Sequence, residues 1–509
     1  MPAPRSSHGS SRWLVGVLVL AALYWTFDLA IVRAGVPHPL DDTWEDGLVA
    51  RSLLEGHGFR STMIYPPLWR LRDAHDTVPV LVHGPVLPLA LAVPLGLGGP
   101  AALDRAAWLA ALFAFLTLVP LFRLGARRFG EPVAAAACGL FTFSPLTTAA
   151  VNHYGSVVLG ALLVTWALEL VARERPRIGL GGLVAGFAYL VRPEMLLAAP
   201  ILAWFAARQA HRARAVWSFT LAFAVAASWW WLIRWRAVGS PFFNLSSYLL
   251  VSFSPAHPGD GLFRDFDATP ERFSTLLGQA LPELWHKWAH FFPRAIKRAL
   301  VTPSGATGWL APVGLLAALV QRPSRRFATV ALLLALIPLV AITLLVSVRL
   351  YTVPVLLLYA LGAALGAQWA FEWLPNWAHR PRAWIGALAM VALPSAGLEL
   401  RADEHEARLC ERWLAHDRAS LASFSVAPGA PARVMFSDTP DFVAWTTRRP
   451  TIWVMRDELA RIYGVDSSGV RVRPLGADAA RTMVALPPPP AARDSFFHAD
   501  PRSAEANAP

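Results

Sequence analysis

Long apolar runs recur along this chain, and they limit its possible folds more than any other feature of the sequence. The first run covers residues 12–33, close to the roughly 20 apolar residues that a helix needs to cross a bilayer. Apolar residues make up 55% of the 509 residues and charged residues 16%, whereas a soluble domain carries about 25% charged residues. The sequence therefore predicts a multi-pass membrane protein and excludes an ordinary soluble or a disordered chain.

Arginine clusters separate the apolar runs and predict their orientation. The clusters are Arg123/Arg127/Arg128, Arg173/Arg175/Arg177, Arg208/Arg212/Arg214, Arg322/Arg325/Arg326 and Arg380/Arg382. Because basic loops stay in the cytoplasm, an even number of crossings must separate each pair of clusters, which predicts about 11 crossings. The N-terminus is then inside and the C-terminal part outside. This arrangement also accounts for the net charge of +12 without a nucleic-acid partner.

The predicted fold class is an all-α polytopic membrane protein with a small outward α/β domain at its C-terminal end. Strand-like runs at 433–437 and 451–455 flank a helix-like segment at 440–446. The proline-rich run 83–98 is interpreted as a helix on the outer face rather than a crossing. The predicted parts are a membrane domain at 1–399 with outer loops near 34–104 and 237–306, a small domain at 400–485, and a disordered tail at 486–509.

An acidic cluster opens the first outer loop, directly after the first apolar run. It contains Asp41, Asp42, Glu45 and Asp46, and it precedes a predicted helix over 43–55. One carboxylate suits a helix N-cap, and one at a membrane surface suits a general base. Because hard cations prefer oxygen ligands, Asp41, Asp42 and Glu45 also suit a divalent cation. The residues alone leave these three readings open.

Several charged or polar residues at the outer ends of apolar runs are candidate substrate contacts. Arg192 and Glu194 flank a proline between two short apolar helices, where they either neutralise each other or present the guanidinium to a phosphate. Arg349 and Tyr351 lie at an outward turn within 327–373. His83, at the start of the proline-rich run, is a further candidate phosphate contact.

In their order and spacing these motifs resemble the GT-C superfamily of integral-membrane glycosyltransferases, including the bacterial aminoarabinose-transferase and protein O-mannosyltransferase branches. The resemblance covers most of the chain. Its elements are the acidic pair followed by LLEGHGF at 53–59, GPVLP at 84–88, RRFG at 127–130, RPE at 192–194 and VRLYTVP at 348–354.

The resemblance implies a membrane enzyme that transfers a sugar from a polyprenyl-phosphate carrier to a lipid, glycan or protein acceptor on the outer face of a bacterial inner membrane. It assigns the catalytic carboxylate to Asp41, with Asp42 next, and phosphate contacts to Arg192 and Arg349. It implies no cofactor in the two named branches and a divalent cation in the oligosaccharyltransferase branch. The inverting mechanism uses the carboxylate as a general base.

Two departures from the family pattern bear on these assignments. Many relatives carry Lys-Pro where this chain has Gly84-Pro85, so a lysine contact to phosphate is missing, and the resemblance leaves open whether His83 replaces it. Many also carry an acidic residue where this chain reads Asn152-His153-Tyr154. Two functions without catalysis stay open: a transporter or flippase for a lipid-linked sugar, and a cell-envelope assembly protein. No internal repeat of the kind that transporters often show is visible.

Overall fold

The structure is a computed structural model, and it describes most of the membrane-spanning part and several short segments of the tail. The described residues are 12–35, 43–75, 77–153, 155–210, 212–251, 273–301, 308–321, 324–344, 352–375, 380–423, 434–437, 440–448, 450–453 and 483–486.

Helices account for most of the described chain. They are α1 Arg12–Gly35, α2 Thr43–Leu54, α3 Val86–Gly98, α4 Ala106–Phe129, α5 Glu131–Thr142, α6 Pro145–His153, α7 Gly155–Val171, α8 Ile178–Val191, α9 Ala198–Gln209, α10 Arg212–Val238, α11 Phe273–Val301, α12 Leu310–Val320, α13 Arg325–Leu344, α14 Val353–Phe371, α15 Pro381–Ser423 and α16 Pro440–Thr447. The strands are β1 Arg60–Ser61, β2 Met63–Ile64, β3 Val78–Pro79, β4 Val434–Ser437, β5 Thr451–Trp453 and β6 Met483–Leu486.

Four described segments are long and apolar enough to cross a membrane, or five if the bent pair α5 and α6 forms one broken span. These segments are Arg12–Val32, Pro100–Phe129, Ala213–Val238 and Val353–Phe371. The chain is accordingly a multi-pass, predominantly helical membrane protein. The count of about 11 crossings stays a prediction, because many of the remaining apolar helices are shorter than the roughly 17–25 residues that a spanning helix needs.

The chain divides into two compact units. The first comprises Met1–Pro39, Asp104–Trp229 and Phe291–Ala407, and the second comprises Leu40–Leu103, Trp230–His290 and Arg408–Pro509. The second unit draws on the three segments predicted to lie outside the membrane. Whether residues 400–485 form a domain of their own stays a prediction.

In the first unit, glycines let helices approach at backbone distance. A Cβ added at Gly362 of α14 would lie 2.6 Å from the carbonyl oxygen of Ala311 in α12. A Cβ at Gly186 of α8 would lie 2.6 Å from the Cβ of Ala226 in α10. Small residues spaced four apart, such as Gly362 and Gly366, are typical of close helix pairs in membranes, where van der Waals packing drives association.

Two elements differ from the predicted pattern. The apolar stretch 131–172 predicts a hairpin with its turn at 144–155, whereas the structure has a further helix in that turn, because α5 ends at Thr142 and α6 begins at Pro145 after a bend of 51°. The last predicted crossing ends near residue 399, whereas α15 continues to Ser423. Its later turns are rich in charged residues, so they carry helix propensity without the apolar pattern of a crossing.

The second unit contains a four-stranded sheet in the order β2-β5-β4-β6. Strands β4 and β5 and helix α16 lie where the sequence pattern of the tail predicts them. The β2 strand belongs to the segment between α1 and α4, and it pairs in parallel with β5 in the register Met63↔Thr451. That segment, predicted as the first outer loop, and the tail therefore share one sheet.

Helix α16 packs on α2 through one aromatic residue. The Trp445 ring lies 5.8 Å from the Trp44 ring and 4.7 Å from the guanidinium carbon of Arg51. Arg51 also donates a hydrogen bond from Nη1 to the carbonyl oxygen of Trp445 at 3.0 Å. Burial lowers the pKa of Arg51, while Glu55 opposes that shift. A cation held between an aromatic ring and backbone carbonyls fixes the α2–α16 contact.

Candidate active site

The acidic pair Asp41 and Asp42 lies outside the described residues, and so do Arg349 and Tyr351. The description of the first outer loop begins at Thr43, the first residue of α2. The helix ends as the sequence predicts, because Gly56 adopts a φ of +83° that an L side chain rarely adopts. The acidic pair thus directly precedes the first turn of a described helix.

The first turn of α2 carries a buried carboxylate, Glu45, which is 7% exposed. The Tyr65 hydroxyl donates a hydrogen bond to its Oε2 atom at 2.9 Å. The Nε2 atom of His83 lies 3.2 Å from the same oxygen. His83, predicted as a phosphate contact, is therefore placed against a carboxylate, and it forms an ion pair there when it is protonated.

Neighbouring elements position Tyr65 and His83. Tyr65 directly follows β2, which the sheet holds. Two contacts from residues 244–245, which follow α10, fix the residues before His83: Leu245 donates its N–H to the carbonyl oxygen of Leu81 at 2.9 Å, and Asn244 donates from Nδ2 to the carbonyl oxygen of Val82 at 3.3 Å. The Glu45, Tyr65 and His83 set therefore joins α2, the sheet and the segment before α3.

The described residues contain no group of three or more His, Cys, Asp or Glu side chains arranged to hold a metal ion. Within that part of the chain, the candidate ligand Glu45 already has one carboxylate oxygen beside Tyr65 and His83. A cation site built on Asp41, Asp42 and Glu45 stays a prediction.

Arg192 and Glu194 form a close ion pair in the first unit. The guanidinium Nε donates to Glu194 Oε1 at 2.6 Å, and Nη1 donates to Ser156 Oγ at 3.5 Å. Their side chains are 11% and 9% exposed. Arg192 has an extended backbone at the end of α8, and Pro193 begins a short 3-10 helix, so the break in the helix puts both charges at one point. This geometry fits the first of the two alternatives, in which Arg192 and Glu194 neutralise each other.

Arg192 also lies beside the start of α14. A Cβ added at Gly160 of α7 would lie 3.3 Å from Arg192 Cγ and 3.7 Å from Pro354 Cγ. Thr352, the N-cap residue of α14, is buried. Three helices therefore meet at Gly160, and the helix that follows Arg349 and Tyr351 in the chain begins close to Arg192.

A buried carboxylate in α1, Asp28, was absent from the predicted candidates. Asp28 is fully buried, and Asn152 of α6 donates to its Oδ2 from Nδ2 at 3.2 Å. One turn earlier, the hydroxyls of Tyr24 and Thr148 lie 2.9 Å apart. The available signal was an aspartate inside an apolar run, because a charge at membrane depth is costly and is often functional.

No family model and no curated protein sequence matches this chain. Its fold is similar to that of ArnT from Cupriavidus metallidurans bound to undecaprenyl phosphate, with a TM-score of 0.58, 13% identity, and coverage of 94% of this chain and 98% of that chain. For ArnT from the same organism in the apo state, the TM-score is 0.56 at 14% identity, with coverage of 93% and 97%.

The fold is also similar to that of an Archaeoglobus fulgidus oligosaccharyltransferase in complex with Zn and sulfate. The TM-score is 0.50 at 14% identity, and the match covers 86% of this chain. This chain spans 62% of the length of that protein. At such identities the similarity shows a shared fold.

Proposed function

The chain has the fold of the GT-C glycosyltransferases, and we propose that it transfers a sugar from a polyprenyl-phosphate carrier to an acceptor on the outer face of a bacterial inner membrane. The predicted resemblance to that superfamily is confirmed for the fold. The observation that carries the proposal is the ArnT match, which covers 94% of this chain and 98% of the other. One fold serves many functions, so the residues must support the chemistry.

The proposed donor site contains Arg192. A guanidinium binds phosphate through two parallel N–H groups, and the ion pair with Glu194 at 2.6 Å orients it. Arg349 and Tyr351 precede α14, whose Pro354 lies against Gly160 as Arg192 does. The ArnT structure bound to undecaprenyl phosphate supports a lipid-phosphate donor for this chain. His83 is proposed as a further contact of the donor or the acceptor.

The proposed reaction is a single displacement at the anomeric carbon. The Asp41 carboxylate takes the proton of an acceptor hydroxyl, whose oxygen attacks that carbon and forms the new glycosidic bond. The bond from the anomeric carbon to the carrier phosphate breaks, and polyprenyl phosphate leaves with the electron pair. Cationic side chains stabilise the charge on the leaving phosphate. One displacement inverts the anomeric configuration.

Glu45 is proposed as a positioning residue in this reaction. It lies in the first turn of α2, directly after the acidic pair. Its contacts with Tyr65 and His83 tie that turn to two other elements of the second unit. Because a misplacement of about 1 Å costs roughly a hundredfold in rate, fixing the start of α2 supports catalysis at Asp41 or Asp42.

The test is glycan and glycolipid profiling of a deletion strain complemented with wild type, Asp41→Asn or Asp42→Asn. We expect one glycan to lose a sugar on deletion, wild type to restore it, and Asp41→Asn to be present at normal abundance without restoring it. Glu55→Gln is the matched control, because Glu55 is an exposed carboxylate just past the other end of α2. It should restore the sugar fully.

Two results would contradict the proposal. If both asparagine variants restore the sugar as well as wild type, the carboxylates are structural, and the transporter and assembly functions become the better readings. If deletion removes the sugar, both asparagine variants restore it, and lipid-linked sugar accumulates on the inner side of the membrane in the deletion strain, the protein is a flippase.

A further inference from the structure

A groove in the first unit is separate from the residues of the proposed donor site. It has a volume of about 550 Å³ and lies among α1, α5 and α15. Its walls are apolar apart from Thr142 and Arg12, the first residue of α1. Clefts of this size and character are typical of sites for small apolar ligands.

Two glycines in the wall make the groove hollow. A Cβ added at Gly16 of α1 or at Gly139 of α5 would meet no atom within 4 Å. The remaining wall is partly formed by small residues, such as Ala136 and Ala389. A side chain added at either glycine would therefore start in open space of the groove.

The length and lining of the groove suit the hydrocarbon chain of a lipid. Its α1 wall runs from Arg12 to Ala21, a length of about 14 Å at the helical rise per residue. Apart from Arg12 and Thr142, the side chains along that length are apolar.

The charge of the groove is concentrated at one end. The α5–α6 segment runs in the same direction as α1, because Tyr24 contacts Thr148 and Asp28 contacts Asn152 one turn later. Arg12 lies at the start of α1, so the cation stands at the end of the groove where α5 also starts. The third wall belongs to α15, which begins beside the exposed residues Arg380 and Arg382.

We propose that the groove binds one acyl chain of an anionic phospholipid, with the lipid phosphate at Arg12. A guanidinium is suited to a phosphate, and the apolar wall removes the chain from contact with other lipids while the small residues allow close packing. The site is distinct in its residues from the proposed carrier site at Arg192, so it does not depend on the proposed transferase activity.

The experiment uses the full-length protein in proteoliposomes that contain phosphatidylglycerol with a photoreactive group on one acyl chain. After irradiation, peptides are mapped by mass spectrometry. We expect labelling concentrated on the groove-lining turns of α1, α5 and α15. Labelling spread equally over other exposed apolar faces, such as Trp217 and Val225 of α10, would overturn the proposal.

Glycine variants test the groove itself. Gly16→Leu and Gly139→Leu together should lower labelling of the groove about tenfold, which corresponds to roughly 1.4 kcal/mol of binding free energy. Gly386→Leu is the matched control. A Cβ at Gly386 also meets no atom within 4 Å, and Gly386 lies on α15 without lining the groove. Gly386→Leu should leave labelling unchanged. An equal loss of labelling in this control and in the Gly16→Leu/Gly139→Leu protein would refute the site.

Replacement of Arg12 tests headgroup selectivity. Because Arg12 is exposed, its replacement should not disturb folding. Wild type should be labelled several times more strongly by the phosphatidylglycerol probe than by the matching phosphatidylcholine probe. Arg12→Gln should reduce that ratio to about one while labelling by the phosphatidylcholine probe persists. Equal labelling of wild type by both probes would show that the groove does not recognise an anionic headgroup.

Discussion

Asn152 donates a hydrogen bond to the Asp28 carboxylate at 3.2 Å, which joins α6 to α1 inside the first unit. The carboxylate is fully buried in a helix that is apolar enough to cross a membrane. The resemblance to the GT-C superfamily implies an acidic residue where this chain reads Asn152-His153-Tyr154. Here a carboxylate from the first helix lies beside that amide.

Replacement of Asp28 should therefore reveal how much this contact supports the helix pair. Asp28→Leu leaves the Asn152 amide without one of its partners, which costs about 1–3 kcal/mol, and should lower the thermal unfolding midpoint in detergent. Asp28→Asn retains a hydrogen-bonding oxygen and should have a smaller effect. A Leu variant as stable as wild type would show that the contact contributes nothing to stability.

Binding of the lipid-phosphate donor should depend on the planar shape of the Arg192 guanidinium as well as on its charge. Arg192→Lys keeps the charge and loses the planar fork, so the apparent affinity for the lipid-phosphate donor should fall about tenfold, or roughly 1.4 kcal/mol. Initial rates against donor concentration measure this. Arg326→Lys, at an exposed arginine of α13, is the matched control. Equal kinetics for Arg192→Lys and wild type would leave the pair with Glu194 as a structural feature.

Chelation tests the divalent-cation alternative. Because one oxygen of Glu45 is held by Tyr65 and His83, we expect transfer by the purified protein to continue after treatment with EDTA. Loss of activity that returns on addition of Mg²⁺ or Mn²⁺ would contradict this expectation and favour a cation held by the acidic cluster.

A single methyl group added at Gly362, where α14 contacts α12, should destabilise the protein. A Cβ at Gly362 would lie 2.6 Å from the carbonyl oxygen of Ala311, so Gly362→Ala forces the helices apart, which costs about 1–3 kcal/mol. Gly386→Ala, at an open helical position, should be neutral or stabilise by about 0.5–1 kcal/mol. Thermal unfolding of both variants in detergent measures the difference, and equal midpoints would refute the close packing.

The loop between β1 and β3 should loosen in acid. Burial raises the pKa of Asp73, but hydrogen bonds from Thr77 and His75 and the charge of Arg60 outweigh it, so the net pKa lies below its usual value. The Arg60 Nε lies 2.7 Å from Asp73 Oδ2. A lowered pKa stabilises the folded loop above the unfolded-state pKa, and this stabilisation is lost as the pH falls through the folded-state pKa.

Hydrogen exchange of the loop amides measures this effect. Protection at His75 and Thr77 should be constant near neutral pH and decline as Asp73 protonates in acid, after correction for the intrinsic exchange rate. Asp73→Asn should remove that decline and show low protection throughout. An unchanged pH profile in Asp73→Asn would assign the acid sensitivity to another group.

The sequence by itself determined the class of protein, the break at Arg192-Pro193-Glu194 and the strand–helix–strand order of the tail. These features depend on local signals: apolar run length, a proline that cannot continue a helix, and short-range periodicity. Helix α6 was missed, because the pattern predicts the turn of a hairpin there and a helix of 9 residues is too short to show a clear helical period.

Only the tertiary structure decided which distant residues meet. The pairing of Met63 with Thr451, the contact of Asp28 with Asn152 and the placement of His83 against Glu45 all join elements far apart in the chain. A strand of two residues, such as β2, has too few positions to define its partner, because register depends on the pattern of the paired strand and on what covers it. Likewise, the sequence shows that Asp28 lies within an apolar run. Only the packing of the helices determines that Asn152 donates a hydrogen bond to it.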